Sequence, residues 1–254
     1  MLMESEQIKG EHYDVTDRIK VLILEVSEDK RGARIRLSRT HPDFIRCLFT
    51  EEVSEIRDGI VEIKAISREA GNRTKVAVYS NDPDVDPVGA CVGMNGSRVN
   101  AVVSEIGKEK IDIIEWSDNA ASFIENALAP AKVIAVVADS DEKRAKVVVP
   151  DFQLSLAIGR EGQNARLAAR LTGFRIDIKS ESQARELGDE FIDMSGYYDD
   201  VYDDDFEDDA DADSDEDASG SDEYQEADDT ESDDYEDADT SEEEDSASDN
   251  DSED

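Results

Sequence analysis

Two short stretches set a glycine pair around two other residues. The first is Gly93-Met94-Asn95-Gly96, followed by Ser97 and Arg98. The second is Gly159-Arg160-Glu161-Gly162, followed by Gln163 and Asn164. Each stands between an apolar run and a helix-like run, in "GACVGMNGSRVNAVV" and "LSLAIGREGQNARLAAR". The chemistry this spacing allows is anion binding. A helix opening after the second glycine points unsatisfied N–H groups and the positive end of its dipole outward. Glycines lack Cβ, so a sugar-phosphate backbone can come close. A strand clamped at its phosphates would lay its bases over the neighbouring apolar surface. One such pair is as well explained by a turn; two in the same context point to nucleic acid.

The surrounding elements repeat as well. Before the first pair, "HPDFIRCLFTEEVSEIRDG" predicts a helix, with Pro42 early and Gly59 at its end. Strands follow at 60–66 and 75–79, then the turn-rich "NDPDVDP", whose side chains can cap a helix. After the pair, Val99, Val102, Val103 and Ile106 share one helix face, and 110–116 reads as a strand. The order then recurs: helix 121–129, strands 132–138 and 146–149, a short helix 151–158, the second pair, helix 163–171 and strand 174–179. Aligned on Gly93 and Gly159, Gly96 pairs with Gly162 and Gly107 with Gly173, and "KIDI" recurs as "RIDI". The chain therefore contains a duplication of about 66 residues, each copy reading α-β-β-α-GxxG-α-β. A final short helix is expected at 182–187. Ahead of the first copy, 19–26 and 33–40 read as a hairpin of strands around "SEDKRG".

Charge divides the chain. Residues 189–254 hold 35 Asp or Glu and no Lys or Arg, which leaves 32 of the 67 acids against all 27 bases in residues 1–188. The acidic run, rich in Ser and Ala, cannot bury enough apolar area to order itself and is expected to be disordered. It could serve solubility, bind a basic partner, or fold back on the RNA face. Within the net acidic chain, residues 143–179 are locally basic: Lys143, Arg144, Lys146, Arg160, Arg166, Arg170, Arg175 and Lys179 against Asp151, Glu161 and Asp177. That surplus suits a surface that tracks phosphates. Cys47 and Cys91 lie in apolar runs without metal-ligand spacing and are expected to be buried free thiols in a reducing cytoplasm. No stretch has the length of a membrane helix. His12 and His41 are isolated, "NDPDVDP" lacks the calcium-loop order and its closing Glu, and Trp116 ends a strand where packing is the expected role.

The stretches "DPDVDPVGACVG", "EKIDIIEWS" and "VPDFQLSLAIGREGQNARLAARLTG" resemble the paired type-II KH domains of the NusA family of bacterial transcription termination and antitermination factors. "RIKVLILEV" with "ARIRLSRTHP" resembles the end of that family's S1-type OB-fold domain. The resemblance covers roughly residues 8–188. It implies an α/β (α+β) fold of tandem type-II KH domains. The boundaries it implies are a partial S1-type OB-fold at 1–40, KH domains at 41–117 and 118–188, and the acidic tail at 189–254. The start of the sequence falls partway through the OB-fold, beyond the family's polymerase-binding N-terminal domain.

The function implied is binding of single-stranded nascent RNA through both GxxG loops within the elongating RNA polymerase complex, modulating pausing, termination and antitermination. No catalytic activity, cofactor, metal or membrane is implied. The chain is expected to be a cytoplasmic monomer whose partners are RNA, RNA polymerase, and other Nus factors or ribosomal proteins. The residues expected at RNA are Gly93, Met94, Asn95, Gly96, Ser97, Arg98, Gly159, Arg160, Glu161, Gly162, Gln163, Asn164, Arg166 and Arg170. Arg34, Arg36 and Arg39 join them if the hairpin presents an RNA face; a solvated strand face explains them equally well. The family usually has a basic residue in the first loop where Asn95 stands, so the second loop is expected to be the stronger site. A KH protein of the ribosome or of RNA decay is the alternative.

Overall fold

The computed structural model describes residues 1–29 and 32–188. An antiparallel hairpin of β1 (Leu22–Asp29) and β2 (Gly32–Ser38) comes first. The first repeat runs α1 (Pro42–Glu52), α2 (Ser54–Arg57), β3 (Val61–Glu69), β4 (Arg73–Ser80), α3 (Pro87–Val92), α4 (Ser97–Ile106) and β5 (Lys110–Glu115). The second runs α5 (Ala120–Ala127), β6 (Ala135–Asp139), β7 (Arg144–Val149), α6 (Leu154–Ile158), α7 (Gln163–Thr172) and β8 (Arg175–Ser180), and α8 (Glu181–Leu187) ends the described chain. The acidic run expected to be disordered lies outside the described residues. The repeats have the same sheet: β3-β4-β5 and β6-β7-β8, each with an antiparallel first pair and a parallel second pair.

The local reasons are those the sequence offers. His41 Nδ1 accepts the Asp43 N–H and Pro42 opens α1, which buries Phe44, Ile45, Leu48 and Phe49 on one stripe. The "NDPDVDP" loop ends in Asp86, whose carboxylate accepts the Val88 N–H and caps α3. Asn119 caps α5 in the same way. Ser180 and Gln183 form a capping box at the start of α8.

One core is built on α1, β3, β4, α3 and α4 of the first repeat, joined by Ile8 and Leu22 from the segment ahead of it. A second does not respect the repeat boundary: Ala77 and Ile114 of the first sheet pack with Phe123, Ile124, Leu128, Val147, Ala168 and Leu171. The sheet face of the first repeat that α1 leaves uncovered is thus covered by α5 and α7 of the second. Trp116 sits at this seam, edge-on to Tyr79 at 5.5 Å and tilted on Phe123 at 6.3 Å, so packing is its role. Lys75 is wholly buried there. Its Nζ donates to the Ala129 carbonyl at 2.8 Å and lies 3.3 Å from Asp112, while burial pushes its pKa down.

Two expectations are corrected. Cys91 is buried, its thiol pushed up to about 12 by burial, but Cys47 is exposed, because its position on α1 falls outside the Phe44/Leu48 stripe. Arg39 does not share a face with Arg34 and Arg36. It follows the end of β2, where the chain turns into α1, and it is buried. Its guanidinium donates to both Glu11 oxygens, to Glu105 Oε1 and to the Lys20 and Glu105 carbonyls, and it stacks 5.2 Å from the Phe44 ring centroid. An RNA contact by Arg39 would need that network dismantled.

Candidate nucleic-acid interface

The two glycine turns have the same backbone. Gly93 (φ 72°, ψ 173°), Asn95 (53°, 28°) and Gly96 (76°, 14°) match Gly159 (76°, 173°), Glu161 (53°, 26°) and Gly162 (72°, 16°). All six residues have positive φ, which two of the three positions in each turn meet with glycine and the third with Asn95 or Glu161. The first glycine of each pair is also fixed by space. A Cβ on Gly93 would lie 2.8 Å from Arg98 Cγ, and one on Gly159 would lie 2.9 Å from the Asn164 backbone nitrogen. The glycines therefore hold the turn tight against the helix that follows, with α4 or α7 starting immediately after it.

The expected RNA residues separate into two groups. Met94, Asn95, Ser97, Arg160 and Glu161 are exposed at the turns, Arg160 and Glu161 with 93% and 83% of their side chains accessible. Exposed apolar side chains flank the second turn at Phe152, Leu156 and Ile158, and Met94 lies within the first. Among these, Phe152 has the aromatic ring on which a base can stack. Arg98 and Asn164 are instead engaged inside the fold. Arg98 NH1 donates to both Glu55 oxygens at 2.9 and 3.1 Å and to the Ala90 carbonyl. Asn164 is buried, its Nδ2 donating to the Leu128 and Ala157 carbonyls at 3.0 Å, while its Oδ1 has no partner. On the hairpin, Arg34 and Arg36 are exposed, and Arg36 pairs with Glu25 at 3.0 Å.

Gln163, Arg166 and Arg170 converge on one carboxylate that sequence reasoning missed. Glu69, at the end of β3, accepts from Gln163 Nε2 at 2.9 Å, Arg166 Nε at 2.8 Å and Arg170 NH1 at 3.5 Å. These bonds, that of Arg166 foremost, hold the Glu69 carboxyl below its ordinary 4.5. A cleft of about 590 Å³ opens beside them, lined by Asn72, Arg73 and Lys110 of the first repeat and Arg160, Glu161 and Asn164 of the second. Nothing in the sequence pairs position 69 with 166; only the packing of α7 on β3 does. A group whose folded pKa is depressed stabilises the fold above its unfolded value, and that contribution disappears as pH falls through the folded value. Urea titrations of the protein and its Glu69→Gln variant are therefore expected to differ by a small amount in midpoint at pH 7, the difference fading as pH falls from 4.5 through the lower folded value.

Similarity to known proteins follows the repeats. Residues 39–116 match the family described as NusA-like first KH domain, and residues 120–186 the family described as NusA-like second KH domain. The "Transcription termination/antitermination protein NusA" of Bacillus subtilis (strain 168) is 55% identical over 188 residues, 74% of this chain and 51% of that protein. Its counterpart in Mycobacterium tuberculosis (strain ATCC 25618 / H37Rv) is 55% identical over 179 residues, 70% of this chain and 52% of that protein. That of Thermus thermophilus is 49% identical over 178 residues, 70% and 46% of the two chains. The chain spans about half the length of the curated relatives it matches. Among the described residues no helix is long and apolar enough to cross a membrane.

Proposed function

We infer, for a chain that belongs to the NusA family by both of its KH domains, that its folded part grips single-stranded nascent RNA by the phosphate backbone. The observation that carries this reading is the pair of superposable GxxG turns, each opening a ten-residue helix. A KH loop of this kind clamps about four backbone nucleotides, so two turns on one rigid frame suit an extended RNA rather than a hairpin. Arg160 adds an exposed cation at the second turn, where the first has Met94 and Asn95. The second turn is the stronger clamp for that reason.

The biological reading we propose with it is modulation of pausing, termination and antitermination within the elongating RNA polymerase complex. The names and the identity of the NusA relatives support it. The shared core across the two domains supports it further, because a fixed spacing between clamps selects strands of sufficient unpaired length.

Fluorescence anisotropy with an unstructured RNA of about ten nucleotides tests the RNA reading. Affinity is expected to fall steeply as salt rises, with a log–log slope of about −0.7 for each phosphate neutralised. Absence of binding at low salt, both for the intact chain and after removal of residues 189–254, would overturn it.

A further inference from the structure

We propose that Glu69 is an anionic placeholder in the RNA cleft: its carboxylate engages Gln163, Arg166 and Arg170 until an RNA phosphate takes its position. The proposal rests on the RNA reading above and adds a residue to it that regulates how strongly the second clamp holds.

The placement of Glu69 carries the argument. It comes from the first KH domain, yet all three donors it receives belong to α7, directly behind the second GxxG turn. The acids that line this cleft are Glu69 and Glu161; the bases are Arg73, Lys110, Arg160 and Arg166. Glu161 keeps 83% of its side chain accessible and lies 4.0 Å from Arg160, and Arg73 is already paired with Asp112. Glu69 thus faces the cations of α7 from inside a basic cleft. A carboxylate and a phosphate present similar pairs of oxygens to an arginine fork, so one can replace the other without rebuilding the site.

Holding the domains together does not require Glu69. The seam is closed by the shared apolar core and by Lys75 Nζ on the Ala129 carbonyl. The Glu69 pairs lie at the rim of that seam. Arg166 and Arg170 keep 44% and 56% of their side chains accessible, and rim pairs of this kind add little to stability. Their larger effect is electrostatic. One negative charge is set against two positive ones next to the loop that must attract phosphate. A phosphate entering the cleft exchanges partners with Glu69 rather than finding bare cations, which moderates affinity and lets the RNA leave.

The test is a double-mutant cycle read by anisotropy with the same unstructured RNA, on the full chain, using Glu69→Gln, Arg166→Gln and the double variant. Glutamine preserves shape and can still accept from Gln163. Glu69→Gln is expected to bind RNA about 3- to 10-fold more tightly at low salt, with a salt slope steeper by about 0.7, as one more phosphate is neutralised. Adding Arg166→Gln is expected to remove that gain. If the parent binds RNA and Glu69→Gln binds equally or more weakly, Glu69 is an interdomain clip and the proposal falls while the RNA reading stands. If the gain persists in the double variant, it does not come from freeing Arg166 and the proposal also falls. If neither the parent nor the chain without residues 189–254 binds at low salt, both readings are overturned together. Thermal melts of each variant identify a loss caused by unfolding, and in that event a charge-keeping Glu69→Asp variant, expected to bind as the parent does, takes the place of the cycle.

Discussion

Installing Arg160→Asp and Glu161→Asp together is expected to weaken binding of a ten-nucleotide unstructured RNA by about 10- to 100-fold at about 0.1 M salt. The substitution changes the local charge by two units at the N-terminus of α7, where the exposed Arg160 stands in the glycine turn. Two unit charges about 4–6 Å from a phosphate, in a medium between water and protein surface, are worth about 1–3 kcal/mol together. That corresponds to one or two decades in affinity. Both side chains are exposed, and Asp tolerates the left-handed conformation of position 161, so the melting temperature is expected to stay close to that of the parent. A variant that melts normally and binds as the parent does would reduce the glycine pair to a tight turn. The RNA face would then have to lie elsewhere, and the apolar residues Phe152 and Leu156 would be the next to change.

The turn at 159–162 was legible in the sequence because glycine is the residue that marks its own geometry. Positive φ at both glycines and a lack of room for Cβ at Gly159 are backbone facts, and a repeat at a fixed spacing displays them twice. The helices and sheets on either side were legible for the same reason, since their periodicity and caps are local. What the sequence concealed are relations between the repeats. Gln163, Arg166 and Arg170 form a stripe of hydrogen-bond donors on α7, two of them cationic, that invites assignment to RNA. Their partner Glu69 lies 94 or more residues away and becomes visible only once α7 lies across β3. Asn164 and Arg98 follow the glycines closely and look like loop residues, yet each turns inward to bind carbonyls of neighbouring elements. Arg39 misled through parity. A strand face repeats every second residue, so an odd-numbered Arg after Arg34 and Arg36 belongs to another surface, and here that surface is the interior.

The same interior holds the ion pair with the largest expected effect on stability. Arg68 and Glu109 have side chains 1% and 0% accessible, joined by two parallel bonds of 2.9 Å. Glu109 also accepts from the Gly71 N–H at 2.9 Å and from the Thr74 hydroxyl, and Arg68 NH1 donates to the Arg39 and His41 carbonyls at 2.7 and 3.0 Å. One buried pair thus ties β3, the β3–β4 turn and the segment entering α1 to the loop before β5. Glu109→Leu is expected to cost about 3–5 kcal/mol, because it leaves a buried guanidinium without its counter-charge. At about 2–4 °C per kcal/mol for a chain of this size, the melting temperature should fall by about 6–20 °C. Adding Arg68→Met removes the stranded charge and is expected to recover more than half of that loss. Recovery stays incomplete, because the Gly71 N–H and the Thr74 hydroxyl lose their acceptor. The order of the two variants is the decisive reading. If the double variant is no more stable than Glu109→Leu alone, the loss comes from repacking around position 109 and not from an uncompensated charge. If Glu109→Leu itself costs less than about 1 kcal/mol, Arg68 reaches water on losing its partner, as an exposed ion pair would.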